Sequence, residues 1–73
     1  MKLIVSCFSC SPSRGSEPGM GWGYLRAAAR HHEIWAIVDG WEFGEELRRY
    51  KAAHAEELKN VHFIFLYIMY LFA

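Results

Sequence analysis

Apolar residues along this chain fall into short continuous runs separated by stretches with helical spacing. Leu3, Ile4 and Val5 are consecutive, the pattern of a strand buried on both faces of a parallel sheet, and they predict β-structure over residues 2–8. Ser9, Ser11, Pro12, Ser13 and Gly15 then break regular structure by competing for backbone hydrogen bonds, fixing φ or permitting positive φ, so residues 9–16 are expected to form a loop. Ser16-Glu17-Pro18 is a helix-start signal. The Ser16 hydroxyl can accept from an orphan amide as N-cap, Glu17 complements the positive end of the helix dipole, and Pro18 loses nothing in a first turn. A helix is predicted over residues 17–31, with Trp22, Leu25, Ala28 and Ala29 on one face. The alanines allow close approach to a sheet, and Trp22 is read as core rather than as a ligand-stacking ring.

Residues 33–38 predict a second strand, closed by Asp39-Gly40 as a turn. From residue 41 to 59 the spacing is helical again, with Phe43, Leu47, Tyr50, His54 and Leu58 along one face and Asn60 as the C-cap. Within that helix Glu45 and Arg49 form an i,i+4 pair worth about 0.2–0.5 kcal/mol, so its charges read as a solvated face. His54, on the apolar side, reads as a boundary histidine with a satisfied hydrogen bond. Residues 61–67 suit a third buried strand, and the chain stays apolar to Ala73. Alternation of strands and helices gives an α/β fold, a βαβαβ unit of three parallel strands joined by right-handed crossovers. This is half of a Rossmann-like parallel sheet.

Composition narrows the possible partners. A hydrophobic share of 53% excludes a disordered chain, and 8 basic against 8 acidic side chains leave no net charge to draw it to nucleic acid or an anionic surface. At 73 residues there is room for one small domain, whose core rarely supplies more than about 3–5 kcal/mol. The apolar run near the N-terminus meets Ser6 and Cys7 too soon for a secretory leader, so the expected location is cytoplasmic. The final apolar run is shorter than the roughly 20 residues of a membrane span.

Cys7 and Cys10 have the spacing of half a zinc site or of a redox pair, but no second cysteine pair exists and free thiols are the favoured reading. His31 and His32 are adjacent, so they cannot face one metal from a helix, and no metal is expected. Gly19 and Gly21 strip the first turn of the helix at the carboxyl end of a parallel strand, where a phosphate or carboxylate can reach backbone amides. Asp39 lies where a dinucleotide-binding domain places an acid on a ribose hydroxyl, which keeps an NAD-binding half-domain as an alternative. Gly19-Met-Gly21-Trp-Gly23-Tyr24 lacks the last glycine of that fingerprint, so Asp39 is favoured as a turn residue.

The run Cys10-Ser-Pro-Ser-Arg-Gly-Ser-Glu-Pro-Gly-Met-Gly-Trp22, preceded by Lys2-Leu-Ile-Val5 and followed by His32-Glu-Ile-Trp-Ala36, resembles the N-terminal segment of family 4 glycosyltransferases. The resemblance covers about residues 1–65. It implies a retaining hexosyltransferase-like enzyme of the GT-B fold, with two Rossmann-like domains and a nucleotide-sugar donor. The second domain, which holds most of the nucleotide and the paired glutamates, is not represented in this sequence. The expectation is therefore an N-terminal fragment, cut short after the third strand and inactive alone. Carried over by position, Arg14, Gly15, Ser16, Glu17, Gly19 and Gly21 would bind the donor diphosphate or an acceptor beside it. Arg14 would neutralise anionic charge, and Glu17 would hold the loop or accept a sugar hydroxyl. No catalytic residue and no cofactor are assigned. The implied partners are a nucleotide-sugar donor, a glycan or lipid-linked acceptor at the inner face of the membrane, and the missing C-terminal domain. A different class of reading is a small non-catalytic protein whose apolar C-terminus mediates protein or membrane association.

Overall fold

A computed structural model describes residues 1–68. The elements are β1 (Lys2–Ser6), α1 (Ser16–Ala29), β2 (Glu33–Asp39), α2 (Gly40–Ala53) and β3 (Val61–Leu66). They form one parallel sheet in the order β1-β2-β3, with Leu3 opposite Ile34, and Ile34 opposite Val61. The expected βαβαβ unit is present. Hydrogen bonding between β1 and β2 runs past Ser6, because the Cys7 amide donates to the Ile37 carbonyl at 2.9 Å and the Asp39 amide to the Phe8 carbonyl at 3.0 Å.

Both helices cover the same face of the sheet. Ile34, Ala36 and Val38 of β2 are fully buried there against Leu25 and Trp22 of α1 and Phe43 and Leu47 of α2, in a single core cluster. Trp22 meets Tyr50 of α2 edge-on at 5.0 Å between ring centres, which locks the two helices together. Trp22 is thus a core residue, as its spacing implied.

The opposite face carries Lys2, Ile4 and Ser6 of β1, Trp35 and Ile37 of β2, and His62, Ile64 and Leu66 of β3. No described element covers it. Burial of β1 and β3 on both faces, expected from their apolar runs, does not occur: Ile4 is 77% exposed and Ile64 39%. An apolar run marks residues that suit a two-sided sheet, but both crossover helices lie on one side, and a run contains no signal for which side is filled.

α2 ends at Ala53 rather than at residue 59. His54 leaves the helical region (φ −127°, ψ 47°), its ring stacks on Tyr50 at 3.9 Å, and its Nδ1 donates to the Tyr50 carbonyl at 3.0 Å. The side chain thereby satisfies a terminal carbonyl of the helix, and His54 is exposed rather than on the buried face. Turns over residues 54–60 then carry Leu58 back into the core, where it is 1% exposed. Asn60 is not the C-cap of α2, since its side-chain amide donates to the Ala29 carbonyl at the end of α1. The expected third strand ends at Leu66, and the apolar run beyond residue 68 lies outside the described residues.

Candidate functional site

The loop between β1 and α1 leaves the carboxyl edge of the sheet and is tied down at Ser11, which is 1% exposed. The Ser11 hydroxyl accepts from the amides of Ser13 and Arg14, each at 3.2 Å, and donates to Glu46 Oε1 on α2. The Ser13 hydroxyl donates to Glu46 Oε2 at 2.6 Å, and the Ser11 amide donates to the Pro18 carbonyl at 3.1 Å. The loop is therefore a compact turn built around one buried hydroxyl. The hydroxyls of Ser11 and Ser13, in that order, hold the Glu46 carboxyl below its ordinary range, with Arg14 adding a smaller attraction against the cost of burial.

One helical turn earlier, Glu42 receives the Arg14 guanidinium at 2.7 Å, and Arg14 also lies over the Phe43 ring at 4.9 Å. With the two side chains 48% and 51% exposed, the pair is worth about 0–1 kcal/mol. A ligand anion can compete for such an arginine.

Gly19 and Gly21 serve the loop rather than leaving it bare. A Cβ at Gly19 would sit 2.4 Å from the Arg14 carbonyl oxygen, and one at Gly21 would sit 2.3 Å from the Ser9 carbonyl oxygen. Those surfaces are filled by the chain's own backbone. Gly15 has nothing within 4 Å of its Cβ position and is the N-cap of α1, with no side chain supplying a cap bond. Ser16, expected as the cap, is instead the first helical residue, held at φ 55°, and its hydroxyl makes no cap bond. Among the described residues, the amides of Gly15, Ser16 and Glu17 have no hydrogen-bond partner, and all three residues are exposed. They form the open part of the candidate site.

The six candidate residues do not share one groove. Glu17 and Gly21 line a groove of about 430 Å³ between β1 and α1, together with Val5, Cys7, Met20 and Tyr24. On the other side of the loop, Pro12, Ser13, Glu42, Glu46, Arg49 and Tyr50 line an acidic groove of about 580 Å³. Arg14, Gly15, Ser16 and Gly19 line neither groove.

The Asp39 carboxylate accepts from the Trp41 amide at 3.0 Å and is the N-cap of α2, which employs the acid that the dinucleotide alternative requires. Among the described residues, no group of three or more His, Cys, Asp or Glu side chains is placed to hold a metal ion. No helix among them is long and apolar enough to cross a membrane.

Sequence reading did not find the Ser11–Glu46 link. The one available signal was that Glu42 and Glu46, an i,i+4 pair of like charges, need cations or donors facing one side of α2. It also missed Tyr67, whose ring packs where a Gly40 Cβ would stand, and whose hydroxyl accepts from Arg48. No protein family, no curated protein and no solved structure matches this chain.

Proposed function

We propose that the chain is the opening βαβαβ segment of a GT-B glycosyltransferase similar to family 4, and that its β1–α1 loop contributes to the binding of a nucleotide-sugar donor or of the acceptor beside it. The observation that carries the reading is the loop itself. The residue run that bears the resemblance is pinned at the carboxyl edge of a parallel sheet, with the Gly15, Ser16 and Glu17 amides unpartnered and Arg14 adjacent. In this role the amides and Arg14 stabilise negative charge on a departing nucleoside diphosphate, Gly19 and Gly21 hold the loop in shape, and Glu17 accepts a sugar hydroxyl. In enzymes similar to family 4, sugar transfer draws on a second domain as well, so the role proposed for these 73 residues is one of binding.

The test is an amide-resolved NMR titration of the chain with uridine and guanosine diphosphate sugars. Shifts centred on Gly15, Ser16 and Glu17, weakened by Arg14→Ala, support the reading. Unmoved amides in this loop at millimolar donor, in a chain whose spectrum shows it folded, refute it.

A second reading, a non-catalytic association protein, is favoured by the uncovered sheet face around Ile4, Trp35 and Ile64. It predicts self-association or detergent-dependent solubility together with indifference to nucleotide sugars.

A further inference from the structure

The two edges of the sheet are not alike. At the outer edge of β3 the Lys51 ammonium donates to the Val61 carbonyl, and Arg48 and Lys51 lie over the Phe65 and Phe63 rings respectively. Cations from α2 thus blunt that edge. β1 has no such guard. Its inner side is marked by the Met1 carbonyl, which accepts from the Glu33 amide at 3.0 Å, and by the Cys7 amide, which donates to the Ile37 carbonyl at 2.9 Å. Backbone groups alternate sides along a strand, so those of Leu3 and Val5 also face β2, and those of Lys2, Ile4 and Ser6 face outward. Among the described residues, nothing pairs with these outward groups. Exposed apolar side chains gather on both sides of the same edge: Ile4 on the uncovered face, and Met20 and Tyr24 of α1 on the other, beside the groove of about 430 Å³ between α1 and β1.

We propose that this edge is a homodimer interface, in which β1 pairs antiparallel with β1 of a second copy about a twofold axis at Ile4, joining two three-stranded sheets into one. The inference rests on the association reading, to which it adds a partner and a register, and it does not draw on nucleotide-sugar binding. An antiparallel pair centred on Ile4 sets Ile4 opposite Ile4, and Lys2 opposite Ser6 of the second copy, each pair exchanging both of its amide–carbonyl bonds. All the outward groups of Lys2, Ile4 and Ser6 are then used. Centring on Leu3 would leave Ser6 unmatched, and centring on Val5 would set Lys2 against Phe8, whose carbonyl already accepts from the Asp39 amide. In the Ile4 register the two lysines lie at opposite ends, so no like charges face each other, and Leu3 meets Val5 on the helix-covered side while the Ile4 side chains meet on the open one. Met20 and Tyr24 of both copies flank the seam. Pairing of β1 with β3 of another copy would run on into a filament, but Lys51 and Arg48 guard β3, so the assembly closes as a dimer.

The experiment follows amide hydrogen exchange of the unaltered chain at micromolar and millimolar concentration, beside sedimentation equilibrium. Expected is a mass that rises to that of two chains and no further, with the Ile4 and Ser6 amides exchanging about tenfold more slowly in the dimer, and the Leu3 and Val5 amides, already turned to β2, changing less. Ile4→Cys places two thiols across the axis, where paired Cα atoms stand about 5.5 Å apart, and mild oxidation is expected to link the copies. Lys2→Cys, whose mate across the seam is Ser6, is expected to stay unlinked. A single-chain mass at millimolar concentration overturns the proposal, and so does growth beyond two chains. Within a dimer, unchanged exchange at Ile4 and Ser6, or Ile4→Cys linking no better than Lys2→Cys, also overturns it and leaves association through the open face standing. The exchange measurement decides even if a variant fails to fold.

Discussion

The hydroxyl of Ser11 and the carboxylate of Glu46, 35 positions apart, meet at the point where the β1–α1 loop touches α2. Ser11 is enclosed while its partner's other oxygen reaches Ser13 near the surface, so one carboxylate joins a buried turn to an exposed one. Replacing Ser11 by alanine leaves the Ser13 and Arg14 amides without their acceptor, and a loss of about 1–3 kcal/mol in urea unfolding is expected. Ser13→Ala, which removes only an exposed bond, is expected to cost less.

The same contact makes stability depend on pH. Glu46 has a folded pKa below its unfolded value of about 4.3, so its contribution is complete above that value and is lost as pH falls through the folded pKa. Urea midpoints measured from neutral pH downward should fall over that window, and the fall should be smaller in Glu46→Gln. An identical pH profile in the two proteins would remove Glu46 as its source.

The helix α1 contains glycines of opposite kinds. Gly21→Ala forces a Cβ to 2.3 Å from the Ser9 carbonyl oxygen and is expected to destabilise the chain or displace the loop. Gly23 has nothing within 4 Å and lies inside the helix, so Gly23→Ala should stabilise by about 0.5–1 kcal/mol through lower backbone entropy in the unfolded chain. Thermal melts of the two variants should move in opposite directions.

Ser16 holds a left-handed backbone conformation at φ 55° without glycine's freedom. The penalty for such a residue is roughly 1–2 kcal/mol. Ser16→Gly is expected to raise the melting temperature and Ser16→Val to lower it.

On the uncovered side of the sheet, Ile4 is 77% exposed, so Ile4→Lys should leave the fold unchanged by circular dichroism. If that face drives association, sedimentation velocity will show a lower apparent mass for the variant than for wild type at equal concentration.

Much of the architecture was legible in the sequence because its signals are local. Leu3, Ile4 and Val5 marked a strand, Ser16 to Pro18 a helix start, and the alternation of elements a parallel sheet. The end of α2 was not legible: Ala52, Ala53 and Ala55 favour helix on either side of His54, and the chain turns because the His54 ring finds Tyr50 and Leu58 finds the core. The candidate site was half legible. Small residues announced the loop, but which glycines face open space depends on where the Arg14 and Ser9 carbonyls come to rest. The anchoring of that loop by Glu46 depends on a contact between distant segments, which no local pattern encodes.

The strand order β1-β2-β3 also follows the order of synthesis. Each strand docks on the one made just before it, and β2 finds its partner already outside the ribosome as soon as Asp39 emerges. The first βαβ unit can thus close while α2 and β3 have yet to leave the ribosome. The Ser11 turn must wait longer, since Glu46 arrives after that unit is complete. During translation, the nascent sheet precedes the fastening of its own loop.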